Sequence, residues 1–347
     1  MTDFWRGRRT LVTGCAGFVG ANLSRRLWDL GAEVTGLDLV NDSPSLRVLG
    51  VSIPIWTANI ADPTKIREII FHLAPEVVFH LAGMSHIAHC QRDPLAAWEA
   101  NVRGTWSVLE ACRNQPTGQI RAVIAASSNH VFGSLPKAHV PTCAVGHRAY
   151  PAVKLDSTKT AWLEDDPPGQ TDVYGTSKGM VDLLVRAYGA LGLPAAGLRH
   201  VNCYGPADPY RSHIVTGTIC DLLKGKAPTI KSDGTPLKAY LHVEEVVQAY
   251  LLIAEQLAAR NAHLVGRALN AGGAPISVLA LVDILIQLSG LDVVPEITGE
   301  DVSQSGYVEI LDDSTLRGLG WSPASLHAGL AKTYDWYKEK GTAWLSE

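Results

Sequence analysis

Three things are missing from this chain of 347 residues, and each removes a class of function. No stretch approaches the ~18 apolar residues of a membrane helix. No apolar segment follows the basic start at Trp5, Arg6, Arg8 and Arg9, so neither a span nor a signal peptide is expected and the chain reads as cytoplasmic. Positive charge is not in surplus either: the formal net charge is −4, with no Lys/Arg-rich run, which argues against nucleic acid as a partner. Cysteine is sparse and unpatterned. Cys15, Cys90, Cys112, Cys143, Cys203 and Cys220 show no CxxC spacing, in a chain large enough to fold without cross-links, so free thiols are expected. Repeats and low-complexity tracts are absent as well. What is present is a hydrophobic content of 46%, enough for one large α/β domain or a domain with a smaller lobe.

Short β-branched runs alternate with amphipathic stretches. Strands are predicted near Thr10–Thr13, Glu33–Asp38, Val77–Ala82, Ala122–Ser127 and Ala195–Asn202, with helices at Pro94–Asn114 and Tyr174–Leu191. This βαβ rhythm predicts a doubly wound parallel sheet of Rossmann type over about residues 1–200. Beyond Asn202 the rhythm loosens into Gly/Pro-punctuated segments, which predicts a smaller substrate-binding lobe over 201–347, with some segments returning to the first domain. Residues 135–169 carry prolines and no clear period; a lid and an ordinary surface excursion are both open readings.

Two motifs carry the chemistry. In TGCAGFVG, Gly14, Gly17 and Gly20 stand where a strand turns into a helix opening at Phe18 and Val19. Bare backbone N–H groups and the positive helix end there suit a pyrophosphate. Asp38 ends the next strand, and a carboxylate there accepts hydrogen bonds from ribose hydroxyls and repels a 2′-phosphate, so NAD is expected rather than NADP. In YGTSK, Tyr174 and Lys178 are four residues apart and share a helix face, which lets an ammonium stabilise a phenolate whose unperturbed pKa lies near ~10. A hydroxyl at the end of the strand Ala122–Ser127 should complete the set; Ser128 and Ser127 both qualify by position.

With these motifs in place, the chain resembles the extended short-chain dehydrogenase/reductases, and within them the nucleotide-sugar epimerase/dehydratase branch, CDP-glucose 4,6-dehydratases in particular. The likeness runs from FWRGRRTLVTGCAGFVG through PEVVFHLAG, DPLAAWEANVRGTWSVLEAC, YGTSK and SDGTPLKAYLHVEE to LGWSP and TYDWYKEKG. It implies that Leu81, Ala82 and Gly83 line the cofactor, that Asn101 supports the site, and that Asn59 and Ile60 flank the adenine. It also implies Ser128 as the catalytic hydroxyl, a sugar and diphosphate facing Asn202 and Tyr204, and a homodimer built on the helices beginning near Pro94 and Tyr174.

The departures from the pattern are as informative. Asn59 stands where the family usually has Asp, Lys238 and Ala239 where it has Arg and Asp, and an expected Arg is missing from EDVSQSGYVEILDD; Arg211 is a candidate replacement charge. Dehydratases of this kind carry an acid followed by Glu or Lys after the catalytic hydroxyl, whereas here Asn129 and His130 follow. Dehydration needs a base and an acid beside C5 and C6, and only His130 of this pair could move a proton. A 4-epimerase needs no more than Ser128, Tyr174 and Lys178. The residues therefore favour a nucleotide-sugar 4-epimerase, with a 4,6-dehydratase, a sugar or uronate dehydrogenase and a non-catalytic NAD-binding protein as alternatives. His86, His89 and Cys90 sit at helical spacing, but no further ligands accompany them and the chemistry needs no metal, so none is expected.

Overall fold

In a computed structural model, residues 2–135, 143–145, 148–150, 159–170, 172–301 and 307–345 are described. Seven parallel strands form the main sheet: β1 (Arg9–Thr13), β2 (Glu33–Asp38), β3 (Ile55–Thr57), β4 (Val77–His80), β5 (Ala122–Ala126), β8 (Ala195–His200) and β12 (Ala268–Ala271). Between β5 and β8, β6 (Cys143–Val145) pairs antiparallel with β7 (Arg148–Tyr150). The spatial order is β12-β8-β5-β4-β1-β2-β3. Leu11, Val12, Val77, Val78, Phe79, Val123 and Ile124 are all fully buried, the two-sided burial a parallel sheet imposes.

Order reverses at β1 and β4, so the crevice for a ligand opens beyond their carboxyl ends. The helix Val243–Ala258 packs on β5 and on the helix Phe18–Asp29, covering one face. The other face is covered partly by Pro63–Leu73 and Gly104–Arg113, which pack on each other. Helix starts follow elementary rules: Asp62 and Asp93 cap helices whose first residues are Pro63 and Pro94.

The second layer is built from β9 (Asn202–Tyr204), β10 (Thr229–Ile230), β11 (Leu237–His242), β13 (Pro275–Ser277), β14 (Glu296–Ile297) and β15 (Val308–Glu309). Strand β11 pairs with β9, β13 and β15, in a register that sets Lys238 opposite Glu309. The helices Ile214–Leu222, Val278–Ser289 and Leu326–Lys340 share its core, and Trp336, Tyr337 and Trp344 pack together at the C-terminal end. Strand β12 arises after β11 in the chain, yet joins the main sheet beside β8.

Of 135–169, the described stretch 159–170 is tied down. Trp162 stacks on Phe132 at 5.4 Å, its backbone N–H donates to the Ile310 carbonyl and its indole to the Gly133 carbonyl. The Glu164 side chain, 7% exposed, accepts from Arg267, Thr315 and the Asn270 N–H. Most of the remainder lies outside the described residues.

Candidate active site

One open cavity of about 1380 Å³ runs from the glycine loop to the second layer. Its first wall is backbone. Gly14 has φ +73°, and a Cβ there would stand 2.6 Å from the Ala82 nitrogen, so the loop after β1 and the loop after β4 touch only because no side chain intervenes. A Cβ on Gly20 would strike the Gly14 carbonyl, and Gly17 caps the helix Phe18–Asp29 without a side chain. Asp38 Oδ2 accepts from the Ala16 N–H at 2.9 Å, joining the end of β2 to this loop. Phe18, Val19, Leu81, Ala82 and Gly83 line the same end, as do Asn59, which is exposed and accepts from the Ala61 N–H, and the buried Ile60.

The crevice is held from beneath by a relay that the motifs did not announce. Thr13 Oγ accepts from the Ala82 N–H, so its own proton goes to His80 Nδ1 at 2.8 Å; Thr105 donates to the Asn101 carbonyl, so it accepts from His80 Nε2 at 3.1 Å. Nε2 thus carries a proton, and acceptance by Nδ1 requires neutral His80; burial agrees, lowering its pKa to about 3. Asn101 does not line the cavity. It lies buried on a π-helical turn, Trp98–Arg103, and braces Met84 N–H, the Met84 carbonyl and Ser177. A hydrogen-bonded His in a strand end is the only sequence signal that could have flagged the relay.

Where the cavity turns toward the second layer, Ser128, Tyr174 and Lys178 line it together. Ser128 caps the turn Asn129–Val131 by accepting from the His130 N–H, donates to Asn129 Oδ1 at 3.3 Å, and lies near enough to the Tyr174 phenol to lower its pKa. Asp172 caps the helix Val173–Ala190, accepting from Gly175 N–H, and its other oxygen meets His130 Nε2 at 3.0 Å. The amide nitrogen of Gln170 lies 2.9 Å from the same Nε2. Burial pushes the Tyr174 phenol up to about 12, with only the Ser128 hydrogen bond prominent in pulling it back. Burial also lowers the Lys178 ammonium to about 8, Asp182 opposing it, and Nζ donates to the Ala126 carbonyl at 2.8 Å. Lys178 is not among the main influences on Tyr174 here, and one of its three protons goes to the Ala126 carbonyl. Ser127 instead points its hydroxyl at the Lys178 carbonyl, a structural contact.

The far wall mixes expected and unexpected residues. Asn202 lines it and donates to the Ala239 carbonyl. Tyr204 borders the cavity but is 2% exposed, and its hydroxyl donates to the Leu326 carbonyl of the C-terminal helix. Arg211 is at the rim, 3.9 Å from Asp221. Lys238 lies over the Tyr307 ring at 5.3 Å. Glu309, absent from the sequence reading, stands among Asn129, His130, Asn202 and Lys238. Nothing near it in sequence marks it out; only the β11–β15 pairing brings it here. His86 stacks on His213 at 5.8 Å, and among the described residues no group of three or more His, Cys, Asp or Glu is placed to hold a metal ion. The described cysteines Cys15, Cys90, Cys112, Cys203 and Cys220 are free thiols.

The cradle fits a dinucleotide: glycine contacts that a Cβ would close, a helix N-terminus and an acid at the end of β2. Comparison with known proteins agrees. The chain is 25% identical to the trifunctional UDP-glucose 4,6-dehydratase/UDP-4-keto-6-deoxy-D-glucose 3,5-epimerase/UDP-4-keto-L-rhamnose-reductase RHM3 of Arabidopsis thaliana, over 98% of this chain and 49% of that one. It therefore spans about half the length of such relatives. It is 26% identical to a CDP-glucose 4,6-dehydratase of Salmonella typhimurium, covering 99% and 93% of the two chains, and 27% identical to a UDP-glucose 4-epimerase of Mycolicibacterium smegmatis, covering 96% and 99%. The solved structure of MoeE5 with UDP-glucose and NAD superposes with a TM-score of 0.74 at 26% identity, covering 95% of this chain and 98% of that one. The model of the NAD dependent epimerase/dehydratase family matches residues 10–272, and the chain belongs to that family of enzymes.

Proposed function

We propose that this chain is a nucleotide-sugar 4-epimerase. The observation that carries the reading is the convergence of Ser128, Tyr174 and Lys178 at the junction of the dinucleotide cradle and a second, polar chamber. NAD held in the cradle would accept the hydride from C4 and return it. The rest is the work of the chain itself. Ser128 and Tyr174 hold the C4 hydroxyl between them, and Tyr174 takes its proton as the C–H bond breaks. A phenol at about 12 is protonated at neutral pH and must lose that proton before it can take the one on the C4 hydroxyl, so positive charge must gather at this junction to ionise it. Lys178 supplies part of it, and its burial keeps it from being screened. An open cavity then leaves the keto-sugar room to present its other face.

A 4,6-dehydratase is the second reading, favoured by one observation: His130, oriented by Asp172, lines the cavity two residues beyond Ser128. It could take the C5 proton. Product analysis by NMR and mass spectrometry, after incubation with CDP-, UDP-, GDP- and dTDP-hexoses and NAD, separates the two. Unchanged mass with inversion at C4 supports the epimerase; loss of one water supports the dehydratase; no conversion of any hexose contradicts both.

A homodimer belongs to the same proposal. Leu95, Met180 and Leu183 are exposed on the helices Pro94–Ala97 and Val173–Ala190, an apolar surface that a second copy would cover. Light scattering should give twice the chain mass, and Leu183→Glu should shift it to the monomer; a monomeric parent would contradict the assignment.

A further inference from the structure

Glu309 is a buried carboxylate of the cavity wall that the chemistry above does not use. It is 4% exposed and lies at the end of β15, where the β11 pairing sets it beside Lys238. Its Oε2 is 3.5 Å from the Asn202 amide nitrogen and its Oε1 4.0 Å from His130 Nδ1. The Asn129 side chain helps to hold its pKa down, and its charge is felt by the Tyr174 phenol. This carboxylate is therefore anchored within a residue or two of the reacting hydroxyl's partners. Next to it, Tyr307 lines the cavity with a buried hydroxyl that has no hydrogen-bond partner among the described residues.

Resting on the reading of a C4 reaction on a nucleotide sugar, we propose that Glu309 is a specificity-determining residue: it accepts hydrogen bonds from neutral sugar hydroxyls flanking C4 and excludes sugars that carry a carboxylate at C6. Asn129 follows Ser128 directly and lines the same wall of the cavity as Glu309, so a sugar whose C4 hydroxyl lies on Ser128 and Tyr174 presents the neighbouring substituent to this wall. A hydroxymethyl group there donates to Glu309 and can accept from Tyr307. A second carboxylate meets a fixed one in a chamber of low dielectric, where two such groups cannot both ionise without cost. Burial raises the Glu309 pKa, with Lys238 and His130 opposing, and a second carboxylate beside it would add to the cost of keeping it ionised. Lys238 does not reverse the selection, because its ammonium is shared between Glu309 and the Tyr307 ring. Exclusion by an unfavourable group is a common half of specificity. The inference also sets aside a uronate as substrate, although one member of this fold, MoeE5, has been solved with UDP-glucuronic acid.

The test uses the NAD-loaded enzyme with a hexose and the matching uronate on whichever nucleotide the product screen identifies, reading binding by calorimetry and turnover by NMR. The parent should favour the hexose by about 100-fold in kcat/KM, the scale of a strongly mismatched charge. Glu309→Gln keeps the volume and should cut that preference by about ten-fold, chiefly through tighter uronate binding. Glu309→Asp keeps the charge and should retain the preference. Thermal melting of each variant establishes that it is folded. A parent that binds and converts the uronate as well as the hexose, or a preference unchanged in folded Glu309→Gln, overturns the inference while leaving the C4 reaction intact. If no nucleotide hexose binds or reacts, the C4 reading falls, and this inference with it.

Discussion

The two ends of the cavity are built by different means. At the cradle, contacts come from backbone: Gly14 against Ala82, Gly20 against Gly14, and the Ala16 N–H on Asp38. The far chamber is walled by side chains, Asn129, Asn202, Lys238, Tyr307 and Glu309, that come from four separated segments and meet through strand pairing. Backbone contacts tolerate no substitution at the glycines but care little about what surrounds them. A side-chain wall can be rewritten one residue at a time without disturbing the sheet. The cradle thus leaves little room for change, and the chamber is where single substitutions can alter what is bound.

Breaking the cradle should give the largest effects. Gly14→Val combines a β-branched residue at φ +73° with a backbone clash, and should cost about 3–5 kcal/mol of stability along with NAD binding, read by thermal unfolding and fluorescence titration. If the variant is as stable as its parent, the closeness of the β1 and β4 loops is not what holds them. Tyr174→Phe should lower kcat by roughly 10²–10⁴-fold, while NAD affinity changes little, since only the proton transfer is removed. Equal losses of NAD binding and kcat would place Tyr174 in the cradle rather than at the junction.

Lys178 gives a pH test. Its folded pKa, about 8, is below its ordinary 10.5, so between these values the unfolded chain holds a proton that the native one has released. Stability from this group therefore rises with pH across about 8 to 10.5 and is lowest below 8. Lys178→Met should abolish that rise and match or exceed the parent's stability at neutral pH while losing activity; a variant markedly less stable at pH 7 would show the ammonium to be a net support of the fold. His80 gives the smaller counterpart. Its pKa is lowered from 6.5 to about 3, so the stability it contributes is present above 6.5 and lost as pH falls toward 3. His80→Gln should flatten the acid limb of the stability curve, and an unchanged limb would show that other groups govern it.

The same contrast explains what could be read in the sequence. The strands β1, β2, β4, β5 and β8, the glycine loop and the YxxxK helix were legible because each is encoded within a short window by periodicity and spacing. The sharp boundaries were not: the run to Asn202 divides into β8 and β9 at Val201, and the helix from Pro94 contains the π turn that aims Asn101. Short β3 and late β12 were missed, since β3 has only three residues and β12, ALNA, holds no β-branched residue. Tyr204 reads as polar and near the site, yet its hydroxyl serves Leu326. Glu309 could not be found at all, because its place depends on a register with Lys238, 71 residues away (309 − 238) in the chain.

The most direct test of the account follows the hydrogen on C4. A nucleotide hexose labelled with deuterium at C4, incubated with the enzyme and NAD, should yield product with inverted C4 that still carries the label there, and its turnover should be slowed by the heavier isotope. Label recovered at C6 would establish the dehydratase in place of the epimerase. Label remaining at C4 with its configuration unchanged, under conditions where substrate is bound, would contradict hydride chemistry at the junction of Ser128, Tyr174 and Lys178.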